Sequence, residues 1–343
     1  MQFDFMMSAS TWARSAQTAR DVEAAGFAGM LFTETSQAPW MNIAAAAMAA
    51  PTLQFTTGIA VAFPRSPMVS AALAWELAEN TGGRYRLGLG SQVKAHIERR
   101  YGVAFDPPGS RLKDYVLAVK ACLRAFDGEK LSHDGPYYKL SLLPAQWMPR
   151  RHQYGGIKVD ISAVGPWMCK MAGEVADGIH VHPLHSMPYI QNRLLPAVAE
   201  GAAKANRDVD AIDLIIPVFA VPGDTPEERA PLLERARSQI AFYGSTKNYG
   251  FQFEDLGFEG TSARLNDLLK AGDLAGMAAA ITEEMLEHFA VVAPWDELAD
   301  RLVARYQGTA ARIVTYLTDE AIRHNPQSLG RWGEVARAVA AAG

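Results

Sequence analysis

The chain has 343 residues, of which 49% are apolar and 20% are charged, and its formal net charge is −4. This composition is typical of a globular protein and gives no indication of nucleic-acid or membrane binding. The first residues lack the basic start and long apolar run of a signal peptide, and no apolar stretch approaches the roughly 18 residues of a membrane helix. We therefore expect a cytoplasmic protein with neither nucleic acid nor a membrane as partner.

The predicted strands are short apolar runs that alternate with longer amphipathic stretches along the whole chain. Because most runs are continuous rather than alternating, they indicate parallel strands that are covered on both faces. The predicted strands are residues 2–7, 28–33, 54–63, 84–90, 157–163, 178–182, 212–221 and 311–317. Eight strand–helix alternations predict an α/β fold, a (β/α)8 TIM barrel in one domain over residues 1–343. A doubly wound open sheet is the alternative, but no GxGxxG motif follows the first strand.

Helical patterns fill most of the gaps between the predicted strands. The helix from Thr11 to Ala25 ends at Gly26, a typical C-cap, and another begins with Pro67 and ends at Asn80. Further helices are predicted over residues 110–126, 166–175, 188–205, 226–242 and 294–307. Residues 127–156 and 243–290 do not fit the repeat and are predicted insertions, the second with helices at 262–271 and 273–288.

Metal binding is not expected. Cys122 and Cys169 lie far apart in the sequence, which argues against a thiolate site. His180, His182 and His185 follow closely on one another, but no carboxylate lies at ligand spacing beside them. In a strand, His180 and His182 would share a face. We therefore predict that His182 contacts a cofactor or substrate rather than a metal ion.

Candidate site residues follow the strands, since a barrel of this kind has its active site at their carboxyl ends. The second strand is followed by Thr33 and Glu34 and then by the aromatic Trp40. These residues either form part of the site or belong to a solvated loop with Trp40 packed on the rim. The third strand contains Gly58, and a glycine there indicates a bulge, a close backbone approach or packing against a bulky neighbour.

The fourth strand ends in a glycine-rich segment, Gly88-Leu89-Gly90-Ser91-Gln92, which could let a flat ring lie against the backbone. Residues 84–100 that surround it contain five basic side chains and one acid. This basic strip suits an anionic ligand tail, or it is a solvated helix face.

After the fifth strand, Gly165 and Pro166 open a predicted helix. Proline suits the first helical position because its missing N–H has no partner there. A helix N-terminus presents free N–H groups and the positive end of the helix dipole, which together can bind a phosphate. The alternative is an ordinary helix start.

Three segments together resemble the luciferase-like monooxygenase superfamily. RSPMVSAALAWELAENTGGRYRLGLGSQVKAHIERRYGV (65–103) has its Arg-x-Pro helix start, Gly-Arg pair and strand ending in Gly-x-Gly. AVGPWMCKMAGEVADGIHVH (163–182) is similar to the family's Gly-Pro helix and Ala-Asp-Gly strand, and FAVVAPWDELADRLVARY (289–306) resembles its last helix. The block GLGSQVKAHIERRYG resembles the branch that uses the deazaflavin coenzyme F420 rather than the FMN enzymes.

The resemblance implies a barrel that holds a tricyclic ring at its carboxyl mouth, against a bulge in the third strand with a non-prolyl cis peptide near Gly58-Ile59-Ala60. It places the phosphate site at the helix start that begins after the fifth strand. The cofactor-binding residues expected on these grounds are Thr33, Gly58, Ile59, Ala60, Ser91, Gln92, Ala163, Val164, Gly165, Pro166 and His182.

The catalytic assignment is less direct. Trp40 matches the position of an active-site tryptophan in deazaflavin relatives. Some relatives carry a histidine acid/base in the loop after the second strand, where this chain has Ser36 and Gln37. Glu34 or His96 could replace it, and the sequence does not decide between them.

These features predict an F420-dependent oxidoreductase that transfers a hydride between C5 of the deazaflavin and a small organic substrate. The 243–290 insertion is expected to form a lid, and the basic strip to meet the coenzyme's polyglutamyl tail. An FMN-dependent monooxygenase supplied by a separate reductase is the first alternative, and a barrel that only binds a flavin-like ligand is the second. A homodimer is expected because relatives are often dimers.

Overall fold

The computed structural model describes residues 1–342. Its strands are β1 Gln2–Met7, β2 Gly29–Phe32, β3 Gln54–Thr57, β4 Ala60–Val61, β5 Tyr85–Gly90, β6 His133–Asp134, β7 Lys139–Leu140, β8 Val159–Ser162, β9 Gly178–His180, β10 Asp213–Pro222, β11 Ala290–Ala293 and β12 Arg312–Thr315. Its α-helices are α1 Trp12–Ala25, α2 Pro39–Ala49, α3 Pro67–Thr81, α4 Lys94–Arg99, α5 Pro108–Phe126, α6 Pro166–Val175, α7 Met187–Tyr189, α8 Leu195–Lys204, α9 Pro226–Gly244, α10 Phe251–Glu254, α11 Thr261–Ala271, α12 Leu274–Ala279, α13 Glu283–Phe289, α14 Trp295–Tyr306, α15 Thr318–His324 and α16 Ser328–Ala342.

The chain divides into two compact units built from interleaved segments. Unit 1 contains residues 1–6, 181–196 and the chain from Ile215 onward, and unit 2 contains residues 7–180 and 197–214. In unit 2 the strands pair in the order β2-β3-β5-β8-β9, and in unit 1 β12 pairs with β1 and β10. The alternation of strands and helices along the whole chain is that of a (β/α)8 barrel. The predicted fold class is confirmed.

Local capping rules explain the helix ends that the sequence predicts well. The Thr11 side chain accepts a hydrogen bond from the N–H of Arg14, and Gly26 ends α1 in the left-handed conformation. Ser66 caps α3 in the same way, and Gly82 ends that helix with φ of 64°. These predictions are confirmed to within one residue.

The third predicted strand is interrupted by a bulge. Thr56 is paired with Arg86 and Ala60 with Leu89, so three residues of the third strand lie opposite two residues of β5. The Thr57 hydroxyl fills the gap, since it donates to the Gly88 carbonyl at 2.7 Å and accepts from the Gly88 N–H at 2.9 Å. The expected bulge is therefore present. A cis peptide bond joins Gly58 and Ile59, where the resemblance implied one.

The glycines of this region give room to neighbouring protein atoms. A Cβ at Gly88 would overlap the Thr57 carbonyl and the His180 ring, and one at Gly58 would overlap the Leu31 side chain. A Cβ at Gly90 would lie 2.7 Å from both the Ile59 and Ser162 side chains. The Cβ positions of Gly88 and Gly90 are thus crowded by neighbouring protein atoms, and the expectation that a flat ring lies against this backbone stays a prediction.

Several elements differ from the sequence-based expectations. Residues 39–49 form the helix α2, for which the sequence analysis gives no element, and β11, α15 and α16 are likewise not predicted. The strand predicted over 178–182 ends at His180, so the expected shared face of His180 and His182 is wrong.

The two insertions are both ordered. Residues 127–156 contain the hairpin of β6 and β7, which is anchored because buried Asp114 accepts hydrogen bonds from His133 and from the N–H groups of Tyr137 and Tyr138. In unit 1 the 243–290 insertion packs its own core, in which Phe253 and Phe289 join Ile240 of α9 and Phe219 of β10. No helix in the described residues is both long and apolar enough to cross a membrane.

Replacing Gly88 with alanine tests the close packing at the bulge. The added methyl group overlaps the Thr57 carbonyl, so Gly88→Ala should lower the free energy of unfolding by about 1–3 kcal/mol, the usual cost of overpacking. The control is Gly330→Ala in α16, which has no atom within 4 Å of its Cβ position and should be neutral or more stable. Equal urea midpoints for the two variants would contradict this packing.

Candidate active site

The loop after β2 is fixed by a buried carboxylate. Glu34, whose side chain is 4% exposed, accepts two hydrogen bonds from Arg65, at 2.7 and 2.9 Å. It also accepts a bond from the N–H of Val61 at 2.7 Å. Both oxygens are therefore committed to partners on the third strand and the segment that follows it. This arrangement joins the loop directly to the far side of the bulge.

Trp40 extends the same cluster. Its ring is 3% exposed, the Arg65 guanidinium lies 4.5 Å from its centroid, and its Nε1 donates to the Tyr85 hydroxyl at 3.1 Å. Burial raises the pKa of Tyr85, so this hydroxyl stays protonated. The structure thus gives Trp40 a packing environment within unit 2, between a cation and a buried phenol.

Two residues that the sequence analysis missed complete the surroundings of Glu34. Arg65 is its ion-pair partner, and half-buried Tyr101 lies close enough for the Glu34 charge to act on its hydroxyl. Burial and the Glu34 charge raise the pKa of Tyr101. Arg100 lies over the Tyr101 ring and donates to the Thr35 carbonyl. The signal for Arg65 was present in the Arg-x-Pro motif, whereas nothing near Tyr101 in the sequence marks it.

The basic strip of residues 84–100 is largely paired within the protein. Arg86 donates to Asp160 at 2.7 and 2.8 Å and to Asp213 at 2.6 Å, and Lys94 pairs with Asp106. Arg84 donates to the Leu53 carbonyl. Lys94, Arg99 and Arg100 are nevertheless exposed, and the expectation that the strip meets an anionic tail stays a prediction.

His96 lies on the exposed side of the short helix α4. Ser91 is half-buried, and Gln92 is exposed with a positive φ of 57° and accepts a hydrogen bond from the Val93 N–H at 3.0 Å. Among the contacts that the structure describes, none joins the side chains of His96 and Glu34. The two acid/base candidates are therefore not brought together.

The start of α6 is open, as the sequence predicts. Gly165 is the N-cap, Pro166 occupies the first turn, and no side chain in the described residues caps the helix. A Cβ at Gly165 would have no atom within 4 Å. Since the N–H groups of the first turn have no intrahelical partners, this end of α6 can accept an anion.

Two buried polar atoms of unit 2 have no hydrogen-bond partner within residues 1–342, the Thr33 hydroxyl and Nε of Arg111. Arg111 is on the first turns of α5, where a Cβ at Gly109 would overlap the ring of Trp167 from the start of α6. Its guanidinium lies 5.7 Å from the Phe63 ring and 5.5 Å from the Tyr137 ring. Such orphaned atoms are uncommon in folded proteins and fit a site for a polar ligand.

His182 belongs to unit 1. Its ring lies 4.7 Å from that of Tyr243 and 4.5 Å from that of Tyr249, and its Nδ1 accepts a hydrogen bond from the Leu184 N–H at 3.1 Å. Burial lowers its pKa to about 4, so the ring is neutral near pH 7. No group of three metal-ligating side chains occurs in the part of the chain that the structure describes.

Comparison with known proteins assigns the chain to a family. The sequence matches the luciferase-like monooxygenase family over residues 2–312. The chain belongs to this family. An uncharacterized protein of Mycobacterium tuberculosis is 37% identical over 303 residues, which cover 88% of this chain and 89% of that protein. An F420-dependent glucose-6-phosphate dehydrogenase of Nocardia farcinica is 33% identical over 156 residues, 45% of this chain and 44% of that protein.

Solved structures of this luciferase-like fold include enzymes with either cofactor. The coenzyme F420-dependent tetrahydromethanopterin reductase of Methanopyrus kandleri has a TM-score of 0.75 at 20% identity and covers 91% of this chain and 92% of its own. The oxygenating constituent of 3,6-diketocamphane monooxygenase from Pseudomonas putida, in complex with FMN, has a TM-score of 0.67 at 16% identity and covers 98% of both chains. Solved proteins of this fold therefore include an F420-dependent reductase and an FMN-bound monooxygenase.

In this luciferase-like protein, Glu34→Gln tests whether the carboxylate holds the bulge. The substitution replaces the charged partner of Arg65 with a neutral amide, so the free energy of unfolding should fall by roughly 1.5–3 kcal/mol. Glu129→Gln, at an ion pair whose carboxylate is 66% exposed, is the control and should change it by less than about 0.5 kcal/mol. A Glu34→Gln protein with unchanged stability but no turnover would instead mark Glu34 as the acid/base.

Proposed function

We propose that this protein is an F420-dependent oxidoreductase that transfers a hydride between C5 of the deazaflavin and a small organic substrate. The observation that carries the proposal is the uncapped, open N-terminus of α6 at Gly165. The F420-dependent relatives support this cofactor over FMN.

The residues present fit such a group. The free amides that follow Gly165 would hold the phosphate, and the Thr33 hydroxyl and Arg111 Nε offer unpaired polar atoms to the rest of the coenzyme. When bound, F420 supplies a carbon that gives or accepts a hydride. The protein's own work is then to orient the ring and to exclude water.

The side chains around the bulge position the site. Glu34 holds Arg65 and the Val61 backbone, and Arg65 in turn covers one face of Trp40. Because both Glu34 oxygens accept hydrogen bonds from these groups, we assign Glu34 a positioning role. Burial raises the pKa of Tyr101, so its hydroxyl stays protonated beside Glu34.

The alternative is an FMN-dependent monooxygenase that receives reduced flavin from a separate reductase. Its support is the similarity of the fold to an FMN complex. Titration calorimetry of the purified protein with F420 and with FMN separates the two proposals, and micromolar binding of FMN without binding of F420 would favour the monooxygenase. Oxidation of bound reduced F420 by candidate substrates in a single turnover would exclude a protein that only stores the coenzyme.

A new charge at Gly165 tests the phosphate site. Aspartate is a preferred N-cap residue, and the Cβ position of Gly165 is open, so Gly165→Asp should fold with equal or higher stability. Its carboxylate would occupy the anion site and repel the coenzyme phosphate. F420 affinity should therefore fall at least tenfold, which is a loss of about 1.4 kcal/mol in binding free energy.

Gly165→Ala is the matched control, since it fills the same space without a charge or a cap. It should keep an F420 dissociation constant within about threefold of wild type. If the aspartate variant binds F420 as tightly as the alanine variant, the phosphate does not lie at this helix start.

The protein is also proposed to form a homodimer through α2. This helix has no charged residue, its one amide side chain, Asn42, is buried, and its exposed face carries Met41 at 50% and Met48 at 93% exposure. A solvated helix normally presents charges outward, so an uncharged face of this kind marks an interface. A second copy of the same helix would complete it in a two-fold symmetric pair.

Light scattering after size exclusion tests this interface. The wild-type protein should have twice the mass of one chain, and the double variant Met41→Glu/Met48→Glu should have the mass of one chain with an unchanged melting temperature. The control Leu274→Glu, at a leucine that is 66% exposed in unit 1, should remain dimeric. A monomeric wild type, or a dimer in both variants, would refute the role of α2.

A further inference from the structure

Unit 1 contains a cavity of about 500 Å³ that the proposed function does not use. It lies among the N-terminal turns of α9, α14 and α16 and along α15, and Pro222 and Leu317 border it where β10 and β12 have ended. Its volume is within the range of about 300–1,000 Å³ that is usual for small-molecule sites.

Two tryptophans form the aromatic wall of the cavity. The rings of Trp295 and Trp332 meet edge to face, with centroids 5.2 Å apart and planes at 80°. The Trp295 Nε1 donates to Glu228 at 2.9 Å, which fixes its ring. Trp332 is 1% exposed, yet its Nε1 has no acceptor in the described residues. An indole N–H is only a donor, so a buried one without an acceptor is satisfied only by an oxygen or nitrogen from outside the chain.

The charges of the lining exclude an anionic ligand. Three carboxylates, Glu227, Glu228 and Glu320, face one guanidinium, Arg235, which already donates to Glu320 at 3.1 Å. Arg331 at the margin lies 2.8 Å from Asp224, 3.8 Å from Glu228 and over the Trp295 ring. The remaining polar ring, His324, donates its Nδ1 proton to the Glu320 carbonyl at 2.8 Å. Hydrogen bonds from its own backbone N–H and from Thr225, together with the charge of Arg229, lower the pKa of Glu227. The lining as a whole still carries three carboxylates against one guanidinium.

We propose that this cavity binds a small organic amine that has one ring and one acceptor oxygen. Its ammonium group would lie towards Glu227, its ring against the two indoles, and its oxygen would accept the Trp332 N–H. Aromatic walls attract organic cations, and the neighbouring carboxylates add to that attraction. The lining residues belong to unit 1, whereas α6 and the bulge belong to unit 2.

Three matched probes test the proposal by titration calorimetry on the full-length protein. Tyramine has the ammonium group, the ring and the oxygen, phenethylamine lacks the oxygen, and 3-(4-hydroxyphenyl)propionate carries a carboxylate in place of the ammonium. Tyramine should bind tightest, phenethylamine about fivefold more weakly, and the carboxylate at least tenfold more weakly.

Two variants assign the binding to this cavity. Glu227→Gln changes an exposed side chain, so it should fold normally and reduce the preference for tyramine over the carboxylate probe. Trp332→Phe keeps a ring but removes the donor, so tyramine and phenethylamine should bind equally. If Trp332→Phe does not fold, the Glu227→Gln result alone decides.

The proposal is overturned if tyramine does not bind at millimolar concentration, if the carboxylate probe binds equally well, or if Glu227→Gln changes nothing. Displacement of tyramine by F420 would also overturn it, because the probe would then occupy the proposed coenzyme site. Binding of tyramine with saturating F420 present supports it. Since these readouts do not require F420 to bind, failure of the proposed oxidoreductase function would leave this result interpretable.

Discussion

The arrangement of the candidate site depends on one buried carboxylate. Glu34 accepts hydrogen bonds from the Arg65 guanidinium and from the Val61 N–H, on the far side of an interruption in the third strand. A buried ion pair recovers little net stability because both charges lose their hydration. We infer that its contribution is positional, because its bonds to Arg65 and Val61 fix the loop after β2 against the end of the bulge. Trp40 is positioned in turn by its contact with Arg65.

The same unit separates its cations from its proposed anion site. Arg84, Arg86 and Lys94 are bound to carbonyls or carboxylates of the protein, where they join strands and loops. The free positive potential comes instead from backbone amides at the start of α6, which no side chain in the described residues caps. A phosphate held by amides in this way needs no lysine or arginine in direct contact. Arg111 is the one nearby cation with a buried unpaired nitrogen.

How far the sequence predicted the molecule depended on the range of the interactions involved. Caps at Gly26, Gly82 and Gly165 follow local rules and were predicted, as was the alternation that gives the barrel. The helix α2 was missed because an alanine-rich segment without charges has no amphipathic period. The partnership of Glu34 with Arg65 joins residues 31 apart, and no local pattern encodes it. For the same reason, the sequence could not predict whether the other site residues contact His182 or His96.

A crystal structure of the protein with F420 bound would test the phosphate site at the start of α6. The coenzyme phosphate should lie within hydrogen-bonding distance of the backbone N–H groups that follow Gly165, with the ring beside the bulge at Gly58 and Ile59. A phosphate bound elsewhere, or a first turn of α6 that is blocked by a side chain in the complex, would contradict it.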